Sequence, residues 1–150
     1  MQALVSKVVS CDVMFSPQGI GNALYGLQGI SSDSLIVRRI LQAFARKIIT
    51  SDVIMDSQGI SNSLYGLQGM SSDVQEVREL IRALTRKISD SNALLSSQEI
   101  GNALYGLQGM SSYVPEVRGV LEVLAVKIIS SDAVLSSQSI ANAFYGLIFI

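Results

Sequence analysis

Four times in this chain a glutamine, an asparagine and a tyrosine fall at i, i+4 and i+7: Gln18, Asn22 and Tyr25; Gln58, Asn62 and Tyr65; Gln98, Asn102 and Tyr105; Gln138, Asn142 and Tyr145. On a helix that spacing puts all three on one face. The chemistry open to them is recognition rather than bond breaking. A primary amide donates and accepts at once, and a phenol adds a flat ring and a hydroxyl, so the set suits nucleobase edges or a peptide backbone equally well. The same residue types also serve structure. Asparagine can satisfy buried backbone groups of a neighbouring turn, and tyrosine can pack between units with its hydroxyl at the rim.

Groups that would do catalysis are missing from the sequence. There is no histidine to activate the many serines, and the single cysteine, Cys11, has neither a disulfide partner nor a metal-binding companion. No phosphate-binding loop, calcium loop or nucleophile elbow occurs; Leu24-Tyr25-Gly26 and its copies read as helical segments that contain glycine. The expectation is a protein that is not an enzyme and uses neither metal nor cofactor.

Tyr25, Tyr65, Tyr105 and Tyr145 stand 40 residues apart, within N-A-L-Y-G-L-Q-G at Asn22–Gly29 and its copies. A fixed period of this size marks a solenoid, whose units bury their apolar faces against one another. Whole units are expected at 16–55, 56–95 and 96–135, flanked by partial ones at 1–15 and 136–150, a section of a longer array. Within a unit, Ile20, Ala23, Leu24, Leu27 and Ile30 recur at helical spacing, as do Val37, Ile40, Leu41, Phe44 and Ile48.

These stripes predict helix A at about Pro17–Ile30 and helix B at about Ser34–Ile49. Helix A opens on Ser16, Asp56, Ser96 or Ser136 as N-cap, with a capping box at Ser96 and Glu99. Helix B follows the start signal Ser-Ser-Asp at Ser31–Asp33 and Ser71–Asp73. The expected fold is all-α, a right-handed superhelical solenoid of about four 40-residue helix-hairpin repeats. Glycine weakens a helix interior by roughly 1 kcal/mol relative to alanine, so the glycine or small residues on both flanks of helix A, Gly19 and Gly26 on one side and Gly21 on the other, with Gly59, Gly66, Ser61, Gly101 and Gly106 as counterparts, imply that adjacent A helices approach closely.

Charge narrows the partners. The net charge is −1 and the pI about 5.3, which supplies no general attraction for polyanions. Lys7, Lys47, Lys87 and Lys127 form one column of helix B, where a lysine in the last turn complements the helix dipole. No segment has the length and hydropathy to cross a bilayer and no secretory leader is visible, so a soluble intracellular protein without membrane partners is expected.

The unit resembles the octotricopeptide repeat, a helical-hairpin family of organelles. The resemblance rests on a proline-glutamate-aliphatic opening of helix B at Pro115-Glu116-Val117, A-x-x-x-K-I before the loop, and L-S-x-Q-x-I-x-N-A-[LF]-Y-G-L through helix A, densest at Leu135–Tyr145. It implies binding of single-stranded RNA in chloroplasts or mitochondria through side chains of one helix per unit. RNA binding through Gln18, Asn22, Tyr25 and their copies is therefore the leading expectation. Specificity would reside at the variable positions Gly19, Gly59, Glu99 and Ser139, and Gly21, Ser61, Gly101 and Ala141. An extended peptide held by the asparagine ladder is the first alternative. End-to-end self-association of a structural repeat is the second.

Overall fold

The computed structural model describes residues 2–148 and 150, and among them every regular element is a helix. In chain order these are α1 (Gln2–Ser10), α2 (Pro17–Tyr25), α3 (Leu35–Thr50), α4 (Ser57–Tyr65), α5 (Gln75–Asp90), α6 (Ser97–Tyr105), α7 (Pro115–Ile129) and α8 (Ser137–Leu147). The short helices α2, α4, α6 and α8 are the A helices. The long ones, α3, α5 and α7, with the shorter α1 before them, are the B helices.

Like packs on like. The dominant helix contacts run α2 to α4 to α6 to α8 in one layer and α1 to α3 to α5 to α7 in the other. A connected A and B helix touch far less, so the packing is that of a helical repeat built from two parallel layers rather than from tight hairpins. One contiguous core lies between the layers, made of Ile20, Leu24 and Leu27 and their copies against Val37, Ile40, Leu41, Ile48 and theirs. It is densest in mid-array, where Leu64, Leu67, Leu80, Ile81, Leu84 and Ile88 are wholly buried.

The A helices start where the sequence places them. Ser16, Asp56, Ser96 and Ser136 each accept a hydrogen bond from the backbone N–H three residues on, and Ser96 with Glu99 completes the capping box. They end sooner than expected: the α-helix stops at Tyr25, Tyr65 and Tyr105, not at Ile30 and its copies. From Gly26 to Ile30 the chain turns through bonds three residues apart, Leu27 N–H to Leu24, Gln28 to Tyr25 and Ile30 to Leu27, and Gly29 adopts φ 75°. In the last copy Ile148 stands in the Gln28 column, and α8 runs on to Leu147.

Helix B also opens differently. Ser-Ser-Asp is not its cap; Ser34, Val74 and Val114 occupy the N-cap position without any side-chain bond. The serines instead shape the turn and tie units together. Ser31, Ser71 and Ser111 hydroxyls accept from the backbone N–H two residues later, while the buried Ser32 and Ser72 hydroxyls accept from the N–H of Ser71 and Ser111 in the next unit, at 3.0 and 2.9 Å. No helix among the described residues is long and apolar enough to cross a membrane.

One core position breaks its column. Ser63 stands where the other units have Ala23, Ala103 and Ala143, and its wholly buried hydroxyl has no hydrogen-bond partner. Burying an unpaired hydroxyl costs roughly 1–3 kcal/mol. Ser63→Ala should therefore raise stability by about 1 kcal/mol or more in urea melts, while Leu84→Ala should lower it by about 2–5 kcal/mol. A destabilised Ser63→Ala would mean that the hydroxyl has a partner, such as a bound water.

Candidate ligand-binding ladder on the A helices

Three columns of side chains run across the A layer, one member per unit. Gln18, Gln58, Gln98 and Gln138 are exposed. Asn62, Asn102 and Asn142 are half-buried between neighbouring A helices, and Asn22 at the array end is exposed. The asparagines are not struts between units. Among the described residues the side chains of Asn22, Asn62 and Asn102 make no hydrogen bond to protein, and neither do those of Gln18, Gln58 and Gln98. Gln138 alone donates to Asn142 Oδ1, at 3.0 Å. Between α2 and α4 a polar cleft of about 180 Å3 is lined by Gln18, Asn22, Asp56, Gln58 and Asn62. The amides thus retain nearly all their donors and acceptors, facing outward.

The tyrosines are arranged otherwise. Tyr25 and Tyr65 stack with ring centroids 5.5 Å apart, Tyr65 and Tyr105 at 5.6 Å, and Tyr105 and Tyr145 at 5.4 Å, with interplanar angles of 17°, 22° and 19°. Both faces of Tyr65 and Tyr105 are covered by neighbouring rings. No base can enter between them, so only ring edges and hydroxyls remain for a ligand. Periodicity places the tyrosines on one face, but it carries no sign that rings of successive units touch.

Backbone proximity brings the rings together. A Cβ at Gly66, Gly106 or Gly146 would fall inside the carbonyl oxygen of Leu24, Leu64 or Leu104 in the preceding A helix. The expected close approach is real, and only glycine permits it. The variable positions lie in this same seam. Gly59 abuts the Pro17 carbonyl, Gly21 abuts the Gly59 Cα, Gly101 abuts Ser139, and Ser61 is buried.

Glu99 accepts from the Ser57 hydroxyl at 2.8 Å, and the Ser97 hydroxyl donates to Ser139 Oγ at 2.9 Å. Of the eight positions only Gly19 and Ala141, at the outer edges of the layer, have no neighbouring A helix against them. Glu99 itself is held below the ordinary carboxylate range. Burial pushes its carboxyl up, but hydrogen bonds from the Ser96 N–H, the Ser57 hydroxyl and the Ser96 hydroxyl outweigh that.

The positive charge lies on the B helices, where part of it is engaged. Lys47, Lys87 and Lys127 donate to the carbonyls of Cys11, Ser51 and Ser91, the residues that follow the preceding B helix. Each ammonium, in the last turn of its own helix, thus complements the negative end of the neighbour's helix dipole as well as its own. Sequence reasoning located this column at the end of its own helix but could not show the carbonyl of the preceding one. Arg38 and Arg118 bind the carbonyls of Ser32 and Ser112 in the connecting turns, and Arg82 pairs with Glu116. The Glu116 carboxyl lies below its usual range, first through its own backbone N–H and then through Arg82 and Arg78. Beside the amide ladder stand carboxylates, Asp56 and Glu99, and no free cation among the A helices.

A depressed folded pKa stabilises the fold above the unfolded value of about 4.3, and that stabilisation is lost as the pH falls through the folded value. Glu99→Gln should therefore melt below the parent chain at pH 7, with the gap shrinking in acid. A gap that stays constant with pH would show that the charge contributes nothing. No family model, no curated protein and no solved structure matches the chain, so the likeness to octotricopeptide repeats stands on the residues quoted for it.

Proposed function

We propose that this chain is a non-enzymatic helical-repeat binding module that holds an extended polypeptide along the A-helix ladder, in an array that winds as a right-handed superhelix. The observation that carries this reading is the unspent hydrogen-bonding capacity of Asn22, Asn62 and Asn102, repeated in register, with Asn62 and Asn102 half-buried in the central seams. A row of identical amides matches a ligand whose own polar groups repeat. A polypeptide backbone offers the same N–H and C=O whatever its side chains, whereas a varied base sequence asks for varied readers. The carboxylates of Asp56 and Glu99 and the engaged lysines favour an uncharged backbone over a polyphosphate one.

Single-stranded RNA is the second reading, and one observation favours it: each unit presents three side chains on one helix, the pattern of readers that take one base per repeat. In that case the identical triads would select a run of one base through its edges, and the resemblance would carry the organellar location with it. The charge pattern is less favourable to this ligand.

One experiment separates the two. A random dodecapeptide display library and the four ribohomopolymers are offered at 0.15 M salt, followed by fluorescence anisotropy of whatever is retained. The expected result is an enriched peptide whose affinity falls by roughly tenfold or more in the double variant Asn62→Ala, Asn102→Ala, about 1.4 kcal/mol, with an unchanged melting curve. Retention of a ribohomopolymer with no peptide enriched would replace this reading by the RNA one. Tyr65→Ala is not a clean probe of binding. It removes a stacked partner on both sides, and each such pair contributes roughly 0.5–1.5 kcal/mol.

A further inference from the structure

Four of the five tyrosines stand in one column, and the sequence has no tryptophan and no histidine. A phenol gives up an electron far more readily than the bare ring of phenylalanine, so the column gathers nearly all the oxidisable aromatic groups of the chain. Successive rings lie 5.5, 5.6 and 5.4 Å apart and within 22° of parallel. They cannot drift apart. The carbonyl seated on Gly66, Gly106 or Gly146, the residue after each of Tyr65, Tyr105 and Tyr145, fixes the spacing of the helices that carry them.

The ring faces are closed, but the hydroxyl edges are not. Among the described residues Ser63 Oγ is the one buried side-chain polar atom without a partner, so the hydroxyls of Tyr65 and Tyr105, which bond to no protein group, open to water. A proton leaving either phenol therefore has an acceptor at hand. The fifth tyrosine supplies a contrast within the same chain. Tyr113 stands in the turn before α7, in the column of Asp33 and Asp73, 92% exposed and, among the described residues, stacked on no ring.

We infer that the tyrosine column is an oxidative modification site, at which a one-electron oxidant ties adjacent units together as dityrosine. Each of two neighbouring phenols passes one electron to the oxidant and its hydroxyl proton to water. The unpaired electron left behind is shared between the oxygen and the ring carbons ortho to it. Two such rings form one carbon–carbon bond between ortho carbons. Each of those carbons then releases its hydrogen as a proton while each oxygen regains one, which restores both phenols. In all, two oxidant molecules are each reduced by one electron, two protons go to water, and the chain becomes lighter by two hydrogens. Stacking serves this step twice. It spreads the electron vacancy of one ring over the next, and it creates the second radical already in contact with the first, so coupling does not wait for diffusion. The free hydroxyl edges leave room for the rings to pivot until their ortho carbons meet. Each tie closes a loop between tyrosines 40 residues apart and constrains the unfolded chain as a disulfide would.

The test uses the chain with Cys11→Ser, which removes a competing thiol and places there the serine of Ser51, Ser91 and Ser131. Dilute protein is oxidised with tris(bipyridine)ruthenium(III), generated by light in the presence of persulfate. Dityrosine fluorescence should appear in the monomer band, with a mass lower by two hydrogens per tie and fragment spectra that join tyrosines 40 residues apart. Tyr113→Phe should leave that yield unchanged. The double variant Tyr65→Phe, Tyr105→Phe keeps the stacked rings, as unchanged circular dichroism would confirm, but leaves no two phenols adjacent, and its yield should fall by about tenfold or more. Unfolding the parent in urea before oxidation should cause a similar loss, because the fold and not the composition supplies the contact. Ties formed chiefly between molecules through Tyr113 would overturn the inference, as would a yield in the double variant or in urea equal to that of the folded parent.

Discussion

The absence of a single carbon atom sets the spacing of the A layer. At Gly66, Gly106 and Gly146 the missing Cβ admits the carbonyl oxygen of the preceding A helix, and the backbones draw together until that oxygen is seated. Much else follows. The positions flanking the contact have to be small, and they are: Gly21 against Gly59, Gly101 against Ser139. The tyrosines beside each glycine are brought to stacking distance, giving a continuous column of rings. Asn62 and Asn102 end up half-buried in the seam with side chains that make no hydrogen bond to protein among the described residues.

The B layer solves the complementary problem of carbonyls at helix ends that no backbone donor satisfies. Each B helix supplies the lysine that closes the end of the one before it, and Lys87 is buried in doing so. A buried ammonium aimed at a carbonyl is a directional tie that fixes the register of one unit on the next. It also holds those cations in the B layer, away from the A helices. Thus a stability device in one layer shapes what the other layer can attract.

Much of the fold was legible in the residues. The 40-residue period, the helical stripes, the N-caps of the A helices and the capping box at Ser96 and Glu99 rest on local rules, and local rules hold wherever tertiary contacts agree with them. The glycine columns announced a close approach. The end of helix A was not legible, because the apolar stripe continues through Leu27 and Ile30 although the hydrogen bonding has tightened to three-residue turns. Ser-Ser-Asp looked like a cap because serine bonds a backbone N–H in either role; which N–H it takes depends on the neighbouring unit. For the candidate site, the three columns and the small-residue flanks could be found on a helical wheel, whereas the stacking of the rings, the idle amides and the packing of Glu99 and Ser139 against the neighbouring unit depend on distances between units that a wheel does not contain.

Since Lys47, Lys87 and Lys127 each reach back 36 residues to chemically equivalent carbonyls, every joint in the array is made from the same parts. Excising a whole unit such as 56–95 would bring α6 against α2 and α7 against α3, with Gly106 meeting the Leu24 carbonyl, Tyr105 meeting Tyr25 and Lys127 meeting the Ser51 carbonyl. The joint heals because both edges of the cut are drawn from the same columns. Gain or loss of a unit by unequal recombination is then a substitution of length without a substitution of chemistry, and array length becomes a freely heritable variable in this kind of chain.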